Sequence, residues 1–324
     1  MNFFFRKIVI VTLFTTYLLI LAGSIVRSTG SGMGCPDWPK CFGMWIPPTH
    51  VSQLPVNYKQ IFKVQGKEIA DFDAFKTWVE YVNRLLGVVV GVQMFLMLLS
   101  SSSYWNIDKT YFSLSLLTLL LTGLQGWVGS VVVAKNLAEG VVTLHMLIAI
   151  LIVFLLVFIS FKLHAPKLEV IEISNCKLGK LFWLIFILTL VQIGLGTQVR
   201  EAIDSISKLY QEQQREQWIE KVGIRFYVHR SFSLIVLALH LYLLYYFKVV
   251  AKQVASTWVL KIFSLLTIIV LAEIVSGAIL AYFSVPTFIQ PIHLILAILI
   301  SSIQFVWVLW YYRSATYAKK LREA

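Results

Sequence analysis

The feature that most limits this chain is a series of eight apolar runs, near 8–28, 80–100, 111–133, 141–161, 179–199, 227–247, 258–281 and 291–312. A helix crossing a bilayer needs about 20 apolar residues. Within lipid every backbone N–H and C=O must find its partner inside the protein, and for runs of this length that means helices. The chain therefore reads as an all-α integral membrane protein with eight transmembrane helices. It is 58% hydrophobic and only 14% charged, where a soluble domain carries about 25% charged residues. That balance excludes a cytosolic enzyme, a secreted disulfide scaffold and a disordered chain. The net charge of +12 sits between the apolar runs, which points to basic segments beside a lipid bilayer and to no nucleic-acid partner.

The first run follows Arg6-Lys7 and superficially looks like a secretory signal. It is longer than an h-region and no A-x-A-like cleavage site follows, so a retained helix is expected. The two long connections, 29–79 and 200–226, share one side of the membrane. Lys and Arg divide evenly between the sides, and carboxylates, which crowd the side of the long connections, count little in the positive-inside rule. Orientation therefore rests on Cys35 and Cys41, which bracket a Pro-containing loop just after the first helix. The pair could close a small disulfide ring, which persists only in an oxidising compartment. A metal site is the alternative, but no further Cys or nearby His completes four ligands. The disulfide reading places the Cys pair and both long connections outside, with both termini in the cytoplasm. Cys176 then falls in a cytoplasmic loop as an unpaired thiol.

The chain also repeats itself. Gly23-Ser24-Ile25-Val26-Arg27 ends the first run and Gly196-Thr197-Gln198-Val199-Arg200 ends the fifth. Gly129-Ser130 aligns with Gly277-Ala278, His145 with His293, and Asn83-Arg84 with His229-Arg230, at nearly one offset. Matches in register imply two pseudo-symmetric four-helix bundles in the same orientation, related by an axis along the membrane normal. Their bounds are 1–165, which includes the loop 29–79, and 166–324.

Of the six histidines, His50 and His164 fall in loops and read as solvated. His145, His229 and His293 each fall in the first turn or two of an even-numbered helix, toward the outer side. Ionisable residues within a bilayer are costly enough to suggest function. A single helix histidine is more often a satisfied core residue; three at equivalent depth, two of them repeat mates, read as ligands. Imidazoles from two facing helices suit haem iron, because the flat macrocycle slots between helices. Zinc would require further donors converging on one point, so no zinc is expected. Phe226, Tyr227, Phe232 and Trp127 are available to wall a flat apolar ligand. Arg27, Arg84, Arg200 and Arg230 lie at the histidine level, where they could pair haem propionates or simply mark the interface. His240 tests the idea of a second haem stacked across the bilayer. Gln304, Met94 and Leu156 occupy the partner positions, so His240 reads as structural and the two sites lie side by side, one per half.

Glu80 is placed at the start of the second helix, one turn before Asn83 on the same face. It reads either as a carboxylate favoured by the helix dipole or as a group that moves protons or stabilises charge beside a reactive ligand. Glu273 aligns with Gln125 and reads as a polar contact between helices, with a proton path as its second reading.

The segment Gly-Ser-Ile-Val-Arg-Ser-Thr-Gly-Ser-Gly-Met-Gly-Cys-Pro-Asp-Trp-Pro-Lys-Cys over 23–41, followed by Glu80-Tyr81-Val82-Asn83-Arg84, His145, His229-Arg230 and His293, resembles the haem A synthase family over essentially the whole chain. The resemblance implies two similar four-helix halves and oxidation of the C8 methyl of haem O to the formyl of haem A for terminal cytochrome oxidase. It implies haem b, with its iron, on His229 and His293 in the C-terminal half; Arg200 and Arg230, by their level, are then the arginines read toward its propionates. It implies a substrate site in the N-terminal half formed by Glu80, His145 and the Cys35–Cys41 pair, with Arg27 and Arg84 beside it. The family's Glu-x-x-His-Arg reads Glu80-x-x-Asn83-Arg84 here. An Asn amide is a poor iron ligand, so a haem held by His145 alone would keep an open axial position, where the amide could hydrogen-bond a small ligand.

The resulting expectation is an oxidoreductase in a bacterial cytoplasmic membrane that hydroxylates a haem methyl group in successive steps. Glu80 would be its catalytic carboxylate and haem b its electron relay. Possible partners are a haem O synthase, oxidase assembly factors, an unidentified electron donor and a second copy of the chain. A cytochrome b-like electron-transfer protein without substrate oxidation is the alternative; a transporter with broken helices would leave the histidine alignment unexplained.

Overall fold

A computed structural model of the chain describes residues 3–165, 176–210, 213–250 and 257–323. Eight long helices dominate it: α1 (Phe3–Ser28), α2 (Ala74–Ser101), α3 (Thr110–Ala134), α4 (Glu139–His164), α5 (Cys176–Leu209), α6 (Ile224–Tyr245), α7 (Thr257–Tyr282) and α8 (Ile289–Glu323). All eight contain a stretch long and apolar enough to cross a membrane. Among the described residues there is no strand beyond two isolated bridges, Cys41 with Met44 and Val64 with Lys67. The protein is an all-α, multi-pass membrane protein. Its residues cluster into two compact units, Met1–Ser160 and Phe161–Ala324, with the division in the last turn of α4.

Many hydroxyl side chains within the spans bond locally, which relieves the cost of a polar group in lipid. Thr16 donates to Thr12 O (2.7 Å), Ser115 to Tyr111 O (2.7 Å) and Thr267 to Phe263 O (2.9 Å), each bonding back one turn. Gln93 instead bridges helices, donating to the Thr15 hydroxyl of α1 at 3.2 Å.

Several ends differ from the sequence expectation. Helix α2 begins at Ala74, where Asp73 caps it by accepting from Lys76 N at 3.1 Å. Glu80 therefore lies in the second turn, beyond the reach of the dipole's first-turn effect. Helix α5 continues to Leu209, so Arg200 is inside a helix rather than at the head of a loop. The polar residues there still present an apolar stripe: Val199 and Ile203 are buried with Trp218, Val222 and Val285, and Ile206 packs against them. His164 closes α4 instead of lying beyond it. Cys176 is the first residue of α5, and the surroundings of its side chain lie outside the described residues.

The end of α3 and the end of α7 share a backbone motif. Asn136 and Leu137 follow α3 with φ of 51° and 58°, and Ser284 and Val285 follow α7 with φ of 60° and 54°. In both places the second residue donates its N–H five residues back, Leu137 to Val132 O (2.9 Å) and Val285 to Leu280 O (3.1 Å). That bond is the longer closing bond of a Schellman-type cap.

The long connection after α1 is a folded unit. Cys35, Cys41, Phe42, Leu54 and Tyr58 are buried together, and Met44, Phe62, Ile69, Phe72 and Tyr81 pack around them. Phe42 is its centre, edge-on to Tyr58, Phe62 and Phe72 at 6.2, 5.5 and 5.7 Å between ring centres.

Candidate functional site

In the C-terminal unit, α6 brings His229 and α8 brings His293 face to face. Their ring centres are 6.4 Å apart and the planes cross at 78°. An imidazole nitrogen lies about 1 Å from its ring centre and a metal–nitrogen bond is about 2 Å, so rings on opposite sides of one iron have centres about 6 Å apart. The pair thus fits two axial ligands of a haem. Among the described residues no three His, Cys, Asp or Glu side chains gather around one point.

Each ring is set by a glycine on the neighbouring helix. A Cβ on Gly196 would stand 3.0 Å from His229 Cε1, and one on Gly277 would stand 3.1 Å from His293 Cε1. A side chain at either position would push the imidazole away. One turn before Gly196, Gln192 donates to His229 O at 3.0 Å and fixes the backbone beneath the ring. One turn before Gly277, Glu273 meets the ring itself: its Oε1 is 3.2 Å from His293 Nδ1, and Ser276 Oγ is 2.8 Å from the same nitrogen. His229 Nδ1 is sealed from solvent and has no side-chain partner; the backbone of Gln192 is its neighbour.

The N-terminal unit repeats the glycine device. A Cβ on Gly129 would stand 3.3 Å from His145 Cε1, and Gln125, one turn earlier in α3, donates to His145 O at 2.9 Å. A Cβ on Gly23 would stand 3.6 Å from Asn83 Oδ1. That amide oxygen and His145 Nδ1 are both sealed and unpartnered.

Glu80 and Arg84 are engaged with the cysteine loop. Cys35 and Cys41 form a disulfide. Cys35 N–H donates to Glu80 Oε2 at 2.9 Å, while Arg84 pairs with Glu80 Oε1 at 2.5 Å. The guanidinium also donates to Asp37 O (2.8 Å), Lys40 O (3.0 Å) and Cys35 O (3.1 Å). Thr77 adds a bond to Gly34 O at 2.9 Å. Gly34 is required here: a Cβ would lie 2.4 Å from Lys76 O. One face of α2, from Thr77 through Glu80 to Arg84, holds the loop by its backbone. Asp37 holds it from inside, accepting from Phe42 N (2.5 Å) and Gly43 N (2.8 Å).

The other arginines differ. Arg200 pairs with Asp204 at 2.8 Å and donates to Gln290 at the start of α8. Arg230 lies over the rings of Phe226 and Tyr227, at 5.7 and 5.2 Å from their centres. Arg27 is in the last turn of α1. His240 is buried in a closed network: its Nδ1 meets Val236 O at 2.7 Å, and Gln304 lies 3.0 Å from Nε2 while donating to Thr189 at 2.9 Å. His50 is exposed at the cap of a short turn.

Sequence reasoning missed the polar residue one turn before each glycine as part of the ligand setting. The signal was present, because Gln125, Gln192 and Glu273 keep the same spacing to Gly129, Gly196 and Gly277, with Leu19 in that place before Gly23.

Comparison with known proteins extends these observations. A "Heme A synthase" of Bartonella bacilliformis is 32% identical over 178 residues, covering 48% of each chain. One of Beijerinckia indica is 32% identical over 201 residues, 56% of this chain and 54% of its own. One of Shewanella oneidensis is 27% identical over 186 residues, 57% and 54% respectively. The chain thus spans about half the length of the curated relatives it matches. Residues 6–305 match the COX15-CtaA family as a whole. The chain belongs to that family, the COX15-CtaA cytochrome oxidase assembly proteins.

Proposed function

We propose that this protein is a haem A synthase that oxidises the C8 methyl of haem O to a formyl group, by successive hydroxylations followed by loss of water. The observation that supports this most is the His229–His293 pair, whose 6.4 Å separation suits opposite axial positions on one haem iron. A haem b there supplies one-electron chemistry. His229 and His293 would hold it, Gly196 and Gly277 leave space for the rings, and Arg230 and Arg200 would be the residues to pair its carboxylates.

The substrate haem O occupies the N-terminal half, with His145 as its ligand. Asn83 faces the open side and offers a sealed amide oxygen that hydrogen-bonds a ligand there. Glu80 holds the substrate loop in place through Cys35 and contributes the site's buried carboxylate. The disulfide loop caps this site from the extracytoplasmic side of a bacterial cytoplasmic membrane, with both termini in the cytoplasm. A membrane-dissolved, farnesylated substrate explains why such a site lies within a helix bundle.

The test is to purify the protein after co-expression with a haem O synthase and identify its extracted haems. Haem A alongside haem B is the expected result. Haem B alone, with haem O left unconverted, would overturn the synthase reading and favour a cytochrome b-like electron carrier.

A further inference from the structure

The three polar residues that precede the ligand-facing glycines do not do the same thing. Gln125 and Gln192 have amide N–H groups, and both donate to the backbone oxygen of the histidine opposite. Glu273 stands at the equivalent place in α7, and its side chain has no amide N–H to give a carbonyl. It turns to the imidazole instead, with Oε1 3.2 Å from His293 Nδ1. The exchange of Gln for Glu converts a helix-to-helix tie into a contact with the ligand.

Ser276 fixes the direction of that contact. Its hydroxyl has one proton, donated to Glu273 O at 2.8 Å. The same oxygen lies 2.8 Å from His293 Nδ1, and with its proton given to Glu273 O it accepts from that nitrogen. The tautomer that leaves the Nε2 lone pair for a metal puts the proton on Nδ1, which both Ser276 Oγ and Glu273 Oε1 face. A carboxylate and a hydroxyl behind a ligand's N–H fix its tautomer and raise its basicity. His229 has neither a carboxylate nor a hydroxyl behind its ring, which meets only the backbone of Gln192.

We propose that Glu273, assisted by Ser276, is a positioning residue that makes His293 the stronger donor of an unequal axial pair and so lowers the reduction potential of the haem held there. A more electron-rich imidazole favours ferric over ferrous iron. This rests on the reading that His229 and His293 hold a haem.

The test is a redox titration of the purified full-length protein, followed by the optical spectrum of its low-spin haem. In Glu273→Gln the spectrum should persist and the midpoint potential should rise. In Ser276→Ala, which removes one acceptor and leaves the carboxylate, it should rise by less. Glu273→Asp should lie between Glu273→Gln and the parent. Should Glu273→Gln fail to retain haem, Ser276→Ala and Glu273→Asp decide the matter by the sign of their shifts. A potential that stays put or falls in the variants that retain haem overturns the inference while leaving the haem site standing. A parent protein that takes up no haem B overturns both.

Discussion

Asn83 stands where the Glu-x-x-His-Arg pattern of the resemblance has a histidine, and its surroundings show what an amide meets there. Gly23 leaves room in front of it, and its amide oxygen is sealed without a partner. A buried amide oxygen left unbonded costs about 1–3 kcal/mol, so a bound ligand that donates to it recovers that cost. Asn83→His should place a second imidazole at the substrate site. In protein co-expressed with a haem O synthase, a high-spin species is expected in the parent and an added low-spin species in the variant, read by electron paramagnetic resonance. An unchanged spin state would mean that residue 83 does not face the iron. Arg84 invites a different experiment. It pairs with Glu80 Oε1, and both side chains are largely buried, at 14% and 5% exposure. Removing one member of such a pair strands the other, at about 3–5 kcal/mol. Arg84→Met should lower thermal stability accordingly and open the 29–79 loop to protease, whereas Arg84→Lys should rescue only part of the loss, since one ammonium cannot reach all three carbonyls. Much of this was legible from types and spacing, because so few ionisable residues lie within the spans. The engagement of Arg84 with the loop was not: its neighbours at 35, 37 and 40 come from a loop whose path depends on the buried ring of Phe42.

At the scale of elements, apolar periodicity placed all eight spans but misjudged several ends. Hydropathy registers the lipid-facing stretch, whereas the last turns of α5 are held by an amphipathic stripe that packs on Trp218 and Val222. The caps after α3 and α7 were equally hidden, because neither contains a glycine to announce a left-handed residue. Asn136 tolerates that conformation, but Ser284 does so at a cost of about 1–2 kcal/mol. Since Ser284 is exposed, Ser284→Gly should stabilise the protein by up to about 1 kcal/mol, detectable as a rise in Tm. A fall would show that the hydroxyl has a role there. The ligand-facing glycines predict the opposite sign. Gly196→Ala places a methyl group 3.0 Å from His229 Cε1, so the ring must move by a few tenths of an ångström. Haem B content per protein should drop in that variant; full occupancy would show that the ring has freedom to yield.

For the whole molecule, the consequence of two compact units is that each contains its own ligand setting. His229, His293, Gly196, Gly277 and Glu273 all lie within Phe161–Ala324, while Asn83, His145, Gly23, Gly129 and the disulfide loop lie within Met1–Ser160. The internal repeat made this division legible, since His145 and His293 share their offset with the two glycines. The repeat also exposes the exchanges of Asn83 for His229 and of Gln125 for Glu273; what it could not convey is that Gln125 bonds the backbone of its histidine while Glu273 meets the ring of His293. Divergence of that kind predicts separable loss. His293→Ala should abolish the low-spin bis-imidazole spectrum, because His240 stands eleven residues along α6, about 16 Å away, and is engaged by Gln304 and Val236, so it cannot take the place of His293. His145→Ala should leave that spectrum and its potential intact while haem A formation falls. Both variants are to be measured in the same membrane, by difference spectra and by extraction of haems. If His145→Ala removed the low-spin spectrum as well, the assignment of one haem site to each unit would be wrong.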